Sequence, residues 1–317
     1  MPLAPEWQSF VDAATAAFPA LGTEVLDAAE ARAFLAARSA PAVVPIPVAA
    51  VEEWLVPGPE DAPEVPVRLY RPLDAEPTPG VVVFYHGGGF VLCSLDSHDR
   101  FCRLMANEAG VIVISVDYRR APDARFPAAA HDAYAVLRWV ADNAESLGGD
   151  PARLAVAGDS AGGNLATVAA IQARDNGGPD IAFQLLLYPM LDPACDSASY
   201  TENAEGYFTT AAHMRWYWQQ YLITDADRSD PYANPLLAEL TGLPAAHIAT
   251  AEFDPLRNEG EVYGGLLRDA GVPVEIHRWN GTVHGFMSMA FHLPETQQAN
   301  ASAFTALRKA LTRTGVS

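Results

Sequence analysis

Short, uninterrupted apolar runs alternate with longer segments of helical periodicity along most of the chain after Gly80. These runs are rich in β-branched residues, and their sequences are VVVFY, VIVISVDY, LAVAG and LLLY. The later segments AAHIATAEFD and VPVEIHRWN predict two more strands. Strands that are apolar on both faces and alternate with helices are typical of a parallel sheet covered on both sides. Helical periodicity in AAAHDAYAVLRWVADNAESLG and ETQQANASAFTALRKALTRT predicts two of the covering helices, the second of them closing the fold. The pattern therefore predicts an α/β fold with a mostly parallel central sheet.

The part of the chain before this alternation has a different character. The segment PEWQSFVDAATAAFPALG predicts an amphipathic helix, because Trp7, Phe10, Val11, Ala14 and Phe18 recur at a spacing of three to four residues. A proline-rich passage that follows predicts irregular structure. The sequence VRLYRP then predicts an edge strand.

A second departure from the alternation follows the run LLLYP. Residues 192–235 are polar in their loops but contain the aromatic segment MRWYWQQYL. An insertion at the carboxyl end of a strand in an open α/β sheet lies where ligands bind. The insertion is therefore a candidate cap, although its aromatic residues are equally consistent with simple packing onto the body.

Composition excludes several classes of partner. The chain has 317 residues, half of them apolar, which is enough for a sizeable core in one large domain with an insertion or in two average domains. Its formal net charge of −19 disfavours nucleic acid and anionic membrane surfaces, because like charges repel. The longest uncharged stretch is broken by prolines and glycines, so no membrane span is expected.

The cysteines and the N-terminal sequence bear on the cellular location of the protein. Cys93, Cys102 and Cys195 lie far apart without metal-ligand spacing, which favours free thiols in a reducing cytoplasm. The sequence MPLAPEWQSF has no apolar core of a signal peptide. We therefore expect a cytoplasmic location.

A candidate nucleophile lies in the sequence LAVAGDSAGGN. Residues 158–162 form a G-x-S-x-G pattern centred on Ser160, between a predicted strand and a predicted helix. In this context the serine lies on a tight turn that lifts its hydroxyl above the sheet, and the flanking glycines allow helix and strand to approach closely. A serine hydroxyl is a weak nucleophile and needs an adjacent base.

The base and the acid are expected later in the chain, since the order in this kind of site is serine, acid, histidine. Among His277, His284 and His292, His284 is favoured, because NGTVHGF places it in a glycine-flanked loop after the last predicted strand. Asp254, at the end of the strand in ATAEFDPLRNEG, occupies the loop position expected for the acid that orients the imidazole. Its rivals are Glu252 and Asp192.

The four motifs HGGGF, GDSAGGN, DPLRNEG and HGF stand in this order, and with them the chain resembles the hormone-sensitive-lipase-like esterases of the α/β-hydrolase fold, in particular their bacterial GDSAGG branch. The resemblance covers the chain from about Val67 onwards. It implies a nucleophile at Ser160, an acid at Asp254 and a base at His284. It also implies an oxyanion hole formed by the backbone N–H groups of Gly88, Gly89 and Ala161.

The resemblance also implies a domain plan. The 317 residues are expected to form one α/β-hydrolase domain. A helical cap would consist of about residues 1–48 and about residues 192–235, and the catalytic core of about residues 49–191 and 236–317. Dimerisation through the last strand, VPVEIHRWN, is a further implication, because that strand would leave an exposed edge.

The glycine triplet in FYHGGGF can be assigned a function once Ser160, Asp254 and His284 are taken as the catalytic residues. Alone it could cradle a phosphate, but neither a following lysine nor a G-x-G-x-x-G pattern supports that. Beside Ser160, the backbone at Gly88 and Gly89 can turn its N–H groups towards a developing negative charge. His86 and Gly87 then support the loop structurally.

These observations predict a serine carboxylesterase that hydrolyses small esters with short-to-medium acyl chains and needs no metal and no organic cofactor. Tyr207, Phe208, Trp216 and Tyr217 are candidates for lining its substrate pocket. An amidase, a peptidase or an acyltransferase would use the same triad. A non-catalytic receptor on this fold is the alternative from another class, although such proteins usually lose a member of the triad.

Overall fold

A central sheet of eight strands organises the molecule, whose computed structural model describes residues 3–37 and 44–312. The strands are β1 (Ala50–Val56), β2 (Val65–Arg71), β3 (Val81–Tyr85), β4 (Ile112–Val116), β5 (Leu154–Asp159), β6 (Phe183–Leu187), β7 (Ala245–Phe253) and β8 (Val274–Val283). The helices are α1 (Pro5–Ala17), α2 (Ala28–Ala36), α3 (Leu95–Ala109), α4 (Ala128–Asn143), α5 (Ala161–Asp175), α6 (Ala198–Glu202), α7 (Ala211–Tyr221), α8 (Arg257–Asp269), α9 (Phe286–Met289) and α10 (Pro294–Leu311). Two 3-10 helices cover Asp225–Ser229 and Pro235–Leu237.

The strand order is β1-β2-β4-β3-β5-β6-β7-β8. Strand β2 pairs antiparallel with both β1 and β4, and all pairs from β4 to β8 are parallel. The predicted α/β-hydrolase fold with a mostly parallel sheet is therefore confirmed. The carboxyl ends of β5, β7 and β8 lie at the same edge of the sheet, and each is followed by one of the candidate catalytic residues.

Side chains of the central strands alternate between two buried layers, as the period of a strand requires. In β3, Val81, Val83 and Tyr85 belong to one apolar cluster, and Val82 and Phe84 belong to the other. Helices α4, α5 and α8 contribute to the first cluster, whereas α3 and α10 contribute to the second. Both faces of the sheet are thus covered, which explains why the sequences of these strands are continuously apolar.

The edge of the sheet differs from the prediction. VRLYRP was predicted to be an edge strand, but it forms β2, which is paired on both sides, and the edge is β1, in the passage predicted to be irregular. Strand β1 is mostly exposed, so its sequence AVEEWLV has no apolar run. Its pairing is supported by salt bridges from Glu53 to Arg68 and from Glu52 to Arg71, both at 2.7 Å.

The two segments predicted to form a cap contact each other. The indole Nε1 of Trp216, in α7, donates to the carbonyl of Leu26 at 2.8 Å, and the ring of Phe18 packs edge-on against Phe208. Residues 1–2 and 38–43 of the predicted cap, and the last two residues of the predicted closing helix, lie outside the described residues. The division into cap and core stays a prediction.

None of the helices within the described ranges is long and apolar enough to cross a membrane. Cys93, Cys102 and Cys195 are all free. In residues 3–37 and 44–312, no group of three or more histidine, cysteine or acidic side chains is arranged to hold a metal ion.

Candidate active site

Ser160 occupies a strained turn between β5 and α5. Its φ of 55° and ψ of −120° are a conformation that non-glycine residues rarely adopt. Hydrogen bonds from its N–H to the carbonyl of Leu187 and from Met190 N–H to its carbonyl hold the turn, at 2.9 and 3.0 Å. A side chain at Gly162 would overlap the carbonyl of Tyr85, so this glycine allows α5 to approach β3. The turn leaves the Ser160 hydroxyl at the carboxyl edge of the sheet.

A chain of hydrogen bonds joins the three candidate catalytic residues. His284 Nε2 lies 2.9 Å from Ser160 Oγ, and His284 Nδ1 lies 2.8 Å from Asp254 Oδ2. The other carboxylate oxygen of Asp254 accepts the N–H of Leu256 at 2.8 Å, which fixes its orientation. Asp254 is fully buried and His284 is 7% exposed. In such an arrangement the imidazole can accept the serine proton while the carboxylate stabilises the imidazolium that forms.

The rivals considered from the sequence lie elsewhere. Glu252 accepts the N–H of Gly281 at 2.7 Å, and Asp192 accepts the N–H of Ala194 at 2.9 Å. His277 stacks on Trp279 with its ring centroid 4.2 Å away, and His292 is exposed. Within the described residues, Asp254 and His284 are the acid and histidine that the structure brings to Ser160.

Three backbone N–H groups beside Ser160 have no hydrogen-bond acceptor among residues 3–37 and 44–312. Those of Gly88, Gly89 and Ala161 donate no hydrogen bond within the described part of the chain. Gly88 has a φ of 103°, a region that side chains disfavour, and its carbonyl accepts the N–H groups of Val91 and Leu92. Ala161 begins α5, whose N-terminus carries partial positive charge. Uncommitted donors of this kind can stabilise a developing oxyanion.

Gly87 and His86 fix the loop that carries two of these donors. The N–H of Gly87 donates to Asp159 Oδ1 at 2.8 Å, so it is not available to a substrate. The ring of His86 is fully buried, stacks on Tyr118 at 4.4 Å and donates from Nδ1 to the carbonyl of Gly87 at 2.8 Å. Burial lowers the pKa of His86. Both residues therefore lie in supporting positions under the loop.

Asp159 and His98 form a buried pair that the sequence did not predict. His98 Nε2 lies 3.1 Å from Asp159 Oδ1, the oxygen that also accepts the N–H of Gly87. Burial works to raise the pKa of Asp159, but the charge and hydrogen bond of His98 outweigh it and hold that pKa below its usual range. Because Asp159 directly precedes Ser160, this pair links the glycine loop to the nucleophile turn.

Arg32 attaches helix α2 to the same region. Its Nε donates to the carbonyl of Val91 at 3.0 Å, and one of its terminal nitrogens donates to the carbonyl of Ala121 at 2.6 Å. Another terminal nitrogen lies 2.5 Å from Asp123. The N-terminal segment is thereby held against the loop that follows the glycine triplet.

A cavity of about 580 Å³ opens onto Ser160. It lies between the carboxyl edge of the sheet and the helices of the N-terminal segment and the insertion. Its largely apolar lining includes Ser160, His284, Gly88, Gly89, Phe18, Leu35, Phe208, His213, Met214, Tyr217 and Met289. The volume is in the range typical of small-molecule sites.

Two of the four predicted pocket residues line this cavity and two do not. Phe208 and Tyr217 line it. Tyr207 is instead stacked on Phe253 with ring centroids 4.6 Å apart, and Trp216 is buried with its Nε1 bonded to Leu26. Adjacent residues of a helix are about 100° apart around its axis, and in α7 the Tyr217 side chain faces the cavity while the Trp216 side chain faces the N-terminal segment. The prediction was wrong for Tyr207 and Trp216, and it missed Phe18, His213 and Met214.

Glu259, in α8, is a buried carboxyl beside the loop that follows Asp254. It is 2% exposed and accepts the N–H of Asp192 at 2.9 Å. Burial, reinforced by the negative charge of Asp192, raises its pKa well above the usual value. An acid whose pKa is higher in the folded state than in the unfolded state opposes folding once the pH exceeds its unfolded pKa.

We expect Glu259→Gln to stabilise the protein increasingly as pH rises. Glutamine keeps an oxygen for the Asp192 N–H but does not ionise, so the variant escapes a stability loss of up to about 1.4 kcal/mol per pH unit above the unfolded pKa. Thermal melts between pH 5 and 8 would measure the difference. The exposed Glu64→Gln is the control, and a difference between the Glu259 variant and the natural protein that is constant with pH would contradict the prediction.

Comparison with known proteins shows to which family this chain belongs. The family described as alpha/beta hydrolase fold matches residues 82–288. The carboxylesterase NlhH of Mycobacterium tuberculosis is 44% identical over 270 residues, which cover 84% of this chain and 84% of that protein. The ethyl acetate hydrolase of Pseudomonas putida is 42% identical over 257 residues, covering 79% of this chain and 80% of its own. A solved esterase of the archaeon Pyrobaculum calidifontis superposes with a TM-score of 0.88 at 39% identity, over 98% of this chain and 99% of that chain.

Proposed function

Because the chain belongs to the hormone-sensitive-lipase-like carboxylesterases of the α/β-hydrolase fold, we propose that Ser160, His284 and Asp254 are the triad with which it hydrolyses esters. The protein is a carboxylic ester hydrolase, and small-molecule esters are its substrates. The observation that carries the proposal is the hydrogen-bond chain from Asp254 through His284 to Ser160, which ends at an apolar cavity.

Hydrolysis proceeds through an acyl-enzyme in this proposal. Ser160 Oγ attacks the ester carbonyl carbon while His284 Nε2 takes its proton. The carbonyl oxygen becomes negative and accepts hydrogen bonds from the free N–H groups of Gly88, Gly89 and Ala161. Each well-placed donor of this kind lowers the barrier by about 3–4 kcal/mol in a comparable hydrolase. The C–O bond to the alcohol breaks, and the alcohol leaves with the proton from His284.

Deacylation reverses these roles. A water molecule gives a proton to His284 Nε2 and attacks the acyl carbon, and the acid is released when Ser160 recovers its proton. The buried carboxylate of Asp254 stabilises the imidazolium in both halves of the reaction.

The cavity supports esters of short-to-medium acyl chain length. A volume of about 580 Å³ with a largely apolar lining accommodates a small acyl group together with its alcohol. Initial rates on p-nitrophenyl esters from acetate to palmitate would test this preference, and a matched amide series would separate an esterase from an amidase. A fluorophosphonate probe should phosphonylate Ser160 Oγ with loss of fluoride, which adds the mass of the probe less that of HF to the peptide that contains Ser160. Absence of labelling in an active preparation would rule out the proposed nucleophile.

We also propose that two copies associate through β8. This strand of ten residues ends the sheet, so its outer edge has no partner strand in the described part of the chain. Continuation of the sheet into a second copy would satisfy that edge. Light scattering at micromolar concentration should give the mass of a dimer, and a monomer would disprove this assembly.

A further inference from the structure

A second cavity lies behind one wall of the active-site cavity. Its volume is about 340 Å³. Apart from Glu205 and Arg215, the side chains that line it are mainly alanine, threonine and proline from the N-terminal segment and the insertion. Phe18, Phe208 and His213 line both cavities, so these three rings form a partition between them.

The rings of this aromatic partition pack on one another. Phe18 lies edge-on to Phe208 with ring centroids 5.3 Å apart, and its ring is 5.7 Å from that of His213. Phe18 directly follows α1, whereas Phe208 and His213 belong to the insertion. The partition is therefore formed by contact between the N-terminal segment and the insertion.

The partition presents uncharged surface to the active site at neutral pH. Burial lowers the pKa of His213 to about 4, so its ring is neutral under ordinary assay conditions. Phe208 and His213 are each 8% exposed, so both rings are largely packed against other parts of the protein. An apolar chain of the substrate can therefore pack against the partition but cannot extend past it into the second cavity.

We propose that the aromatic partition sets the upper limit on the length of the apolar chain that the site accepts. The second cavity would then be a continuation of the chain-binding site that the partition closes. The proposal rests on the proposed function, because the chain belongs to an ester held at Ser160. A methylene that cannot enter the protein stays in water and adds no binding energy to the transition state.

Phe18→Ala tests the proposal directly. The backbone N–H of Phe18 bonds to Thr15, so the bond does not depend on the ring that is removed. Loss of the ring joins the two cavities, and we expect the ratio of kcat/KM for p-nitrophenyl dodecanoate to that for the butyrate to rise about tenfold or more. A parallel series of alkyl acetates distinguishes a chain on the acyl side from a chain on the alcohol side. A rise in either series supports the proposal.

Two further variants make the result decisive. Phe208→Ala opens the same partition from the other segment and should shift the ratio in the same direction. Tyr207→Ala removes an aromatic ring from the neighbouring position, which lines neither cavity, and should leave the ratio unchanged. If one partition variant fails to give a cooperative thermal melt, the other decides.

Two outcomes overturn the proposal. The first is an unchanged chain-length ratio in folded partition variants that still hydrolyse butyrate. The second is an equal shift in Tyr207→Ala. If the natural protein hydrolysed none of the esters, that result would instead contradict the proposed function.

Discussion

Ser160→Ala should lower kcat on p-nitrophenyl butyrate by about 10⁴-fold or more, because the substitution removes the oxygen that we propose as the nucleophile. The remaining rate would come from the oxyanion donors and the cavity, which the substitution leaves in place. The fold should persist, since the Ser160 side chain makes one hydrogen bond among the described residues, to His284, and alanine meets the same backbone strain as serine. Initial rates together with a thermal melt would measure both effects.

Ser288 provides the matched control, since it is a second hydroxyl in the same cavity. Its Oγ lies 3.3 Å from Tyr188 Oη and also 3.3 Å from the carbonyl of Gly285, and no hydrogen bond joins it to His284 among the described residues. Ser288→Ala should therefore keep its rate within about tenfold of the natural protein. A Ser160→Ala variant that turns over at a rate comparable to the control would eliminate the serine mechanism.

Asp254→Asn should reduce kcat by about 10⁴-fold while leaving the fold intact. The asparagine amide can donate to His284 Nδ1, and this favours the tautomer whose Nε2 carries a proton and cannot accept one from Ser160. The N–H of Leu256 still finds an oxygen, so the loop keeps its geometry. Single-turnover labelling by a fluorophosphonate should slow in parallel with kcat, because both reactions need the activated serine.

Glu252→Gln is the matched control for the aspartate. Its carboxylate lies two residues earlier and accepts the N–H of Gly281, a bond that glutamine can keep. Its kcat should stay within about tenfold of the natural value. A larger loss for Glu252→Gln than for Asp254→Asn would reassign the acid.

The parts of the fold that the sequence predicted share one physical property. Strands β3 to β7 are mostly buried and lie between helices, so each can be recognised from its own apolar sequence. Strand β1 has no such signal, because its stability depends on cross-strand pairs with β2 that are distant in sequence. The edge of the sheet was consequently placed one strand too far inward.

The candidate site divides in a similar way. Ser160, Asp254 and His284 each follow a strand, and the carboxyl ends of parallel strands meet, so their positions along the chain predict that they lie close together. Glu252 and Asp192 lie at comparable positions, and the family resemblance was needed to prefer Asp254. The pair of Asp159 and His98 depends on how α3 packs beneath the glycine loop, which no local pattern encodes. The orientation of Tyr207 and Trp216 depends likewise on packing with Phe253 and Leu26.

The bonds of Arg32 have a consequence for exchanging parts between related esterases. Helix α2 borders the substrate cavity, and its Arg32 donates hydrogen bonds to the carbonyls of Val91 and Ala121. Val91 lies next to the loop that contains Gly88 and Gly89. The N-terminal segment is therefore not a detachable specificity module. A graft that replaces it to change substrate range should also loosen the loop that carries two of the proposed oxyanion donors. We therefore expect selectivity and turnover to change together unless Arg32 and the two segments whose carbonyls it binds are transferred as one unit.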